Sequence, residues 1–347
     1  MTRAGADERP AGWADVAVVG ASAGGVGVLQ DLVRRLPTDL GLAVLVVLHL
    51  PTTGVSVLSE ILNRATALHV VRGEDGMHLS RGVVVVAPTD HHMLVDGAAL
   101  RLSRGALVNG HRPAVDPTLE TAARSYGRHT LGVLLSGTLD DGVVGLGTVQ
   151  TAGGLTAVQD PVEAPYPGMP QAAVDAGVVD HVLSTRGLAD LIVTAGGDER
   201  APLEPHDEEH LLVLDEVAAP GVVSSFTCPN CGGALWERQR NGVVTFECRV
   251  GHRYSPASLF EVQGTALDDA LWAAHRALLE RADLARRMAR RMRRSSLGAP
   301  AGKYDRTAED AERRASIVHE ALMLSRQGQE TDQPDEAVSD EPDGARR

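Results

Sequence analysis

Asp15-Val-Ala-Val-Val-Gly-Ala-Ser22-Ala-Gly-Gly-Val-Gly27 joins two hydrophobic patterns through one short turn. The apolar run Val16 to Val19 reads as a buried parallel strand, and the amphipathic run Val26 to Leu36 reads as a helix. The glycine-rich turn between them therefore lies at the carboxyl end of a strand, and Ser22 sits in it. Open α/β sheets bind ligands at that edge, and the free N–H groups that open a helix favour negative charge there. Two plainer readings stay open on this stretch alone. Gly20, Gly24 and Gly25 could cradle a phosphate, although the spacing is not G-x-G-x-x-G and no P-loop lysine follows. Alternatively the turn is only a turn, with Ser22 as a helix N-cap.

Outward from this unit, strand-like runs at Ala43–Leu48, Val83–Ala87, Leu131–Leu135 and Thr156–Gln159 alternate with helical stretches at Val55–Arg64, Pro117–Tyr126 and Val143–Ala152. Such alternation predicts an α/β fold: a doubly wound, mostly parallel sheet with flanking helices. His92–Leu102, centred on Asp96-Gly97, reads as a hairpin inserted into it. The expected organisation is a disordered leader (1–14), a sheet domain (15–195), a Pro- and charge-rich linker (196–225), a Cys/His module (226–255), a helical hairpin (256–326) and a disordered acidic tail (327–347). The hairpin reading rests on apolar residues spaced three and four apart from Leu267 to Met292 and again from Ala308 to Leu322, with a break at Gly298–Gly302.

With 347 residues and only three Phe, the core must be filled by Val, Leu and Ala. A net charge of −13 argues against general nucleic-acid binding. No apolar run reaches the length of a membrane span, and Met1–Trp13 lacks the apolar core of a signal peptide, so a cytoplasmic protein without membrane insertion is expected. Three cysteines cannot form a fully paired disulfide framework and read better as metal ligands.

A nucleophilic serine needs an imidazole to take its proton and a carboxylate to orient that imidazole. His49 directly follows the strand Ala43–Leu48, and Asp140 and Asp141 follow Leu131–Leu135 by a short loop, so three strand ends on one sheet edge offer Ser, His and Asp. Taken singly, a surface histidine and an N-cap aspartate are the plainer alternatives. His69, His78, His111, His129 and His181 lack such a placement; His91 and His92 lie near a strand end and stand in reserve.

Gly20-Ala-Ser-Ala-Gly-Gly25, His49-Leu-Pro51, Ala87-Pro88 with His91 or His92, His111-Arg-Pro-Ala-Val-Asp116, Leu135-Ser-Gly-Thr-Leu-Asp-Asp-Gly142 and Gly168-Met-Pro170, in that order, resemble the catalytic domain of the chemotaxis receptor methylesterase family. The resemblance covers roughly residues 15 to 195. It implies a serine esterase that hydrolyses glutamate methyl esters on chemoreceptor-type proteins, and family members commonly also deamidate receptor glutamines. Carried over by position, it implies Ser22 as nucleophile, His49 as base and Asp141 as its orienter, the aspartate followed by glycine. The helix-opening amides of Ala23 or Gly24 are oxyanion donors by position, and the resemblance adds the amide of Thr138. The chain departs from the commonest family pattern with Ala23 for threonine, Leu48 for glutamine and Thr138-Leu139 for Met-Gly. Leu139 puts a side chain where the usual glycine would permit unusual backbone angles. Only 14 residues precede Asp15, so a receiver domain in the same chain is not expected, and a separate response-regulator or methyltransferase protein is the candidate regulatory partner. Two alternatives to the esterase reading are a catalytically weakened binding protein and a hydrolase of small esters.

Cys228-Pro-Asn-Cys231-Gly-Gly has zinc-knuckle spacing, and Cys248 with His252 supplies a second pair, predicting a structural zinc ribbon with no part in the ester chemistry. A C-x-x-C redox pair is the alternative, without the βαβ context it normally has. The basic run Arg286–Arg294 reads either as a solvated helix face or as a docking face for an acidic partner.

Overall fold

Val16–Ala21 (β1) and Ala43–Leu48 (β2) are buried at every position, as expected of strands covered on both faces. In the computed structural model, which describes residues 12–50, 56–197, 203, 205, 221–294 and 298–330, they lie side by side at the centre of a seven-stranded parallel sheet. The other strands are His69–Arg72 (β3), Val83–Val86 (β4), Thr130–Leu134 (β7), Leu155–Gln159 (β8) and His181–Leu183 (β9), in the order β3-β4-β2-β1-β7-β8-β9. The hairpin is present as His92–Asp96 (β5) and Ala99–Ser103 (β6), turning at Gly97 with φ +59°.

Helices cover both faces: Gly25–Val33 (α1), Leu58–Asn63 (α2), Val115–Tyr126 (α3), Val143–Thr151 (α4), Gly168–Asp175 (α5) and Thr185–Ala195 (α6). Two separate buried clusters result. One has Leu29, Leu32, Val44 and Ile192 on one side of the sheet, and the other has Leu45, Leu119, Tyr126 and Leu146 on the opposite side. The short strands β3 and β9 and the short helix α5 carry too few periodic residues to stand out in the sequence, whereas α6 has Leu188, Ala189, Ile192 and Ala195 on one buried face and is readable from its spacing. Strand order reverses at β1, which pairs with β2 on one side and β7 on the other. This is the topological switch point, where doubly wound sheets open a crevice.

Several expected bounds move. Gly12 and Ala14 donate backbone hydrogen bonds to Thr194 O and Ala195 O at 3.1 and 2.8 Å, so the sheet domain begins before Asp15. Most of the expected leader lies outside the described residues, as do Val55 and most of the linker. The far end of that linker is strand: Val222–Thr227 (β10) joins Ala234–Arg240 (β11), Val243–Cys248 (β12) and Arg253–Tyr254 (β13) in a four-stranded antiparallel ribbon. Its β11–β12 turn presses on α4, where the Asn241 side chain donates to Thr148 Oγ1 at 2.9 Å.

The second unit begins at Val262, within Pro256–Arg294 (α7), and continues through Gly298–Glu330 (α8). Gly298–Gly302, the expected break, is helical, residues 295–297 lie outside the described residues, and helix runs past the expected end at residue 326. Ala282, Ala285 and Ala289 are buried, as are Ala308, Ala311 and Ala315, whereas Leu267 is exposed against expectation. Arg286 pairs with Glu312 and Arg293 with Asp305, so part of the basic run is balanced within the hairpin. Among the described residues no helix is long and apolar enough to cross a membrane.

Candidate active site

Three neighbouring strand ends deliver three side chains to one point. Ser22 follows β1, His49 follows β2, and Asp141 follows β7 through the loop Leu135–Asp140. Ser22 Oγ lies 3.0 Å from His49 Nδ1, and His49 Nε2 lies 2.7 Å from Asp141 Oδ2. An ionised carboxylate only accepts, so His49 carries its proton on Nε2 and leaves Nδ1 free to accept from the Ser22 hydroxyl. Ser22 is not a helix cap: α1 starts from Gly24, at φ +70°, with no side-chain cap.

The Asp141 side chain is almost fully enclosed, and burial alone would push its carboxyl up. The hydrogen bond and charge of His49, the Val115 N–H at 2.6 Å and the Asn109 amide at 2.9 Å outweigh that and hold it well below the usual carboxylate range. Val115 is the first residue of α3, so the helix N-terminus faces the negative charge. Asp116, beside it, is pushed the other way by burial and then by the charge of Asp141, well above the usual range. Asp140 does not touch His49; it accepts from the Ser255 hydroxyl at 2.6 Å.

His111 stacks on His49, with ring centroids 3.8 Å apart and planes 11° from parallel. Burial, and after it the His49 charge, pushes His111 down to about 4, so at neutral pH it presents an uncharged ring to the His49 imidazole. The strand-end criterion passed over His111, Asn109 and Asp116 because their segment, 109–116, precedes a helix and follows no strand of the sheet. The clearest signal for two of them was the His111-Arg-Pro-Ala-Val-Asp116 motif. His91 and His92 stay outside the arrangement: His91 bonds Thr89 O at 2.9 Å and His92 bonds Ala106 O at 3.0 Å.

The amides of Ala23, Gly24 and Thr138 donate to no protein acceptor among the described residues. Gly137 brings the Thr138 loop against the serine: a Cβ there would fall 2.9 Å from Ser22 Cβ and 2.1 Å from Met169 Sδ, so only glycine fits. Leu139 stands at φ +61°, the left-handed region that its replacement of glycine makes costly. A nucleophile, a base, an orienting carboxylate and open N–H groups at a helix start are what acyl transfer through a serine requires.

Away from this site, Cys228, Cys231, Cys248 and His252 gather their ligand atoms within 4.8 Å of one another. Three of the six separations, Cys231 Sγ–Cys248 Sγ at 3.6 Å, Cys228 Sγ–His252 Nδ1 at 3.6 Å and Cys248 Sγ–His252 Nδ1 at 3.4 Å, have the length of the edges of a tetrahedron around an ion with bonds of about 2.0–2.3 Å. The set fits a metal ion.

Over the sheet domain the chain is similar to known proteins. The family model described as CheB methylesterase matches residues 17–192. A protein-glutamate methylesterase/protein-glutamine glutaminase of Anaeromyxobacter dehalogenans is 40% identical over 204 residues, 56% of this chain and 58% of its own length. A relative from Leptospira interrogans is 34% identical over 177 residues, 51% of this chain and 92% of its own. The crystal structure of the Thermotoga maritima CheB methylesterase catalytic domain superposes with a TM-score of 0.50 at 30% identity, covering 52% of this chain and 97% of that domain. Through its parallel-sheet domain, the chain belongs to the CheB methylesterase family.

Proposed function

We propose that the protein is a serine esterase that hydrolyses glutamate methyl esters on chemoreceptor-type signalling proteins. Ser22 is the nucleophile, His49 the general base and Asp141 the orienting carboxylate. The observation that carries the reading is the unbroken relay Ser22 Oγ–His49–Asp141 at 3.0 and 2.7 Å, set at the switch point of the sheet. Ser22 Oγ attacks the ester carbonyl as His49 Nδ1 takes its proton, and the negative oxygen is received by backbone N–H groups of Ala23, Gly24 and Thr138. Methanol leaves with the proton returned by Nδ1. Water, activated by the same nitrogen, then attacks the acyl-Ser22 ester and releases the glutamate carboxylate. A side-chain amide taken through the same steps releases ammonia, which accounts for a second activity as a glutamine deamidase.

Cys228, Cys231, Cys248 and His252 hold a structural zinc in this reading. All four positions are filled by protein, so none is left for water or substrate, and the ion supplies fold to the ribbon and no step of the reaction.

Methanol release from methylated receptor cytoplasmic fragments tests the assignment. The parent protein is expected to release it, and Ser22→Ala and His49→Ala to lose about 10⁴-fold or more in kcat. Full activity in Ser22→Ala would sink the serine mechanism.

A further inference from the structure

The side-chain amide of Asn109 lies between the catalytic carboxylate and the ribbon. Its Nδ2 donates to Asp141 Oδ1 at 2.9 Å and to Asp116 Oδ2 at 3.0 Å. Its Oδ1 accepts from the Ser255 N–H at 2.9 Å and from the Ser258 hydroxyl at 3.0 Å. A backbone N–H can only donate, so the Ser255 contact fixes which end of the amide is oxygen and turns the NH₂ toward the two carboxylates. Both hydrogens and both lone-pair directions of this buried amide are used.

The same segment holds the main chain of Asn109. Its N–H donates to Arg253 O at 2.7 Å, and the Arg253 N–H donates to Leu107 O at 3.2 Å. The Arg253 guanidinium enters the carboxylate cluster from the ribbon, bonding Glu120 at 3.0 Å and lying 3.9 Å from Asp116. Ser255 caps α7, accepting the Ser258 N–H at 3.0 Å, while its hydroxyl donates to Asp140. Packing alone would be served by apolar contacts; here every donor and acceptor position of the buried Asn109 amide is filled, on the far side of Asp141 from His49.

We propose that Arg253–Ser258 is a positioning strap for the active site: acting through Asn109, it fixes the Asp141 carboxylate against His49, so that the ribbon sets the turnover rate of the neighbouring domain. The proposal rests on the esterase reading above. The strap begins one residue after His252, which makes the metal-ligating turn and the strap continuous in the chain.

The test uses the full-length protein and four variants, Asn109→Ala, Ser258→Ala, Ser258→Thr and the double alanine. Loss of an outer partner that orients a metal ligand costs about 10- to 100-fold; on the same scale for a partner that orients a carboxylate, Asn109→Ala is expected to lower kcat by that factor with KM within about twofold, and Ser258→Ala to lower it by less. Because Ser258 acts through Asn109, the double alanine variant should be no slower than Asn109→Ala alone. Ser258→Thr keeps the hydroxyl and should recover most of the rate. In parallel, proton NMR follows the low-field imidazole N–H between His49 and Asp141, identified by its disappearance in His49→Ala; it should move upfield in Ser258→Ala and return in Ser258→Thr. Parental kcat in both single alanine variants would overturn the strap, as would additive losses with an unmoved imidazole proton. If Asn109→Ala does not fold, the Ser258 pair decides. If the parent releases no methanol, the esterase reading fails and the proton signal judges the strap by itself: a shift supports it and a fixed signal ends it.

Discussion

The sheet domain and the ribbon are held together by different forces. In the sheet domain, β1, β2, β7 and β8 are buried at every residue, and helices seal two apolar clusters. Removing that much Val and Leu surface from water drives folding without help. The ribbon has only a few buried apolar side chains, such as Leu235, Phe246 and Tyr254, while Val222 and Val223 on its edge strand are 73% and 66% exposed. A sheet of that size gains little from its own burial; polar contacts to the sheet domain through Asn241, Arg253 and Ser255 and, on the reading proposed above, a metal held by Cys228, Cys231, Cys248 and His252 supply the rest. The Ser22–His49–Asp141 relay thus stands where burial makes the backbone rigid, and the Cys/His cluster stands where burial is sparse.

Metal removal is the sharpest way to break this contrast. Chelation under reducing conditions should abolish protection from hydrogen exchange in β11 and β12 and leave β1, β2 and β7 protected, since structural zinc contributes on the order of 10 kcal/mol to small metal-dependent folds. Joint loss of protection in both regions would show that the two stand or fall together.

A smaller effect of pH comes through one histidine of the sheet domain. His111 is held down at about 4 in the folded protein by burial and the His49 charge, against about 6.5 in an unfolded chain. Above about pH 6.5 it is neutral in both states and has no effect. As pH falls from there toward 4, the unfolded chain binds a proton that the folded state refuses, so stability is lost. At pH 5 the loss is about 2 kcal/mol. Urea denaturation at pH 7 and pH 5 should show it in the parent protein, and His111→Phe, which keeps a ring against His49, should show a smaller drop. Equal drops would remove His111 from the account.

Smallest is the effect of Leu139→Gly. Relief of the left-handed backbone at φ +61° gains about 1 kcal/mol, part of which the freer unfolded chain takes back. Stability should stay level or rise slightly, and kcat should not fall. A clear loss of stability would mean that the Leu139 side chain contributes more through its packing than its backbone costs.

Much of the sheet domain was legible because its strands are continuous apolar runs and its helices amphipathic, and burial is what periodicity encodes. Ala43–Leu48 matches β2 to the residue. Of the unrecognised elements, β3, β9 and α5 are short and leave a weak pattern, whereas α6 carries Leu188, Ala189, Ile192 and Ala195 at helical spacing and could have been read. Ser22, His49 and an aspartate at Asp140 or Asp141 could be read from strand ends, because a doubly wound sheet gathers those ends on one edge whatever the details of its loops.

Sequence by itself thus determined the parallel sheet, the serine at its first turn, the companion histidine and aspartate, and the four clustered ligands. The tertiary structure decided what surrounds them: His111 against the base, Asp116 beside the carboxylate, and Asn109 clasped by Ser255 and Ser258. Those contacts join segments with no shared periodicity, through single hydrogen bonds and one ring stack, and such pairings exist only once the hydrophobic core has fixed where each loop ends.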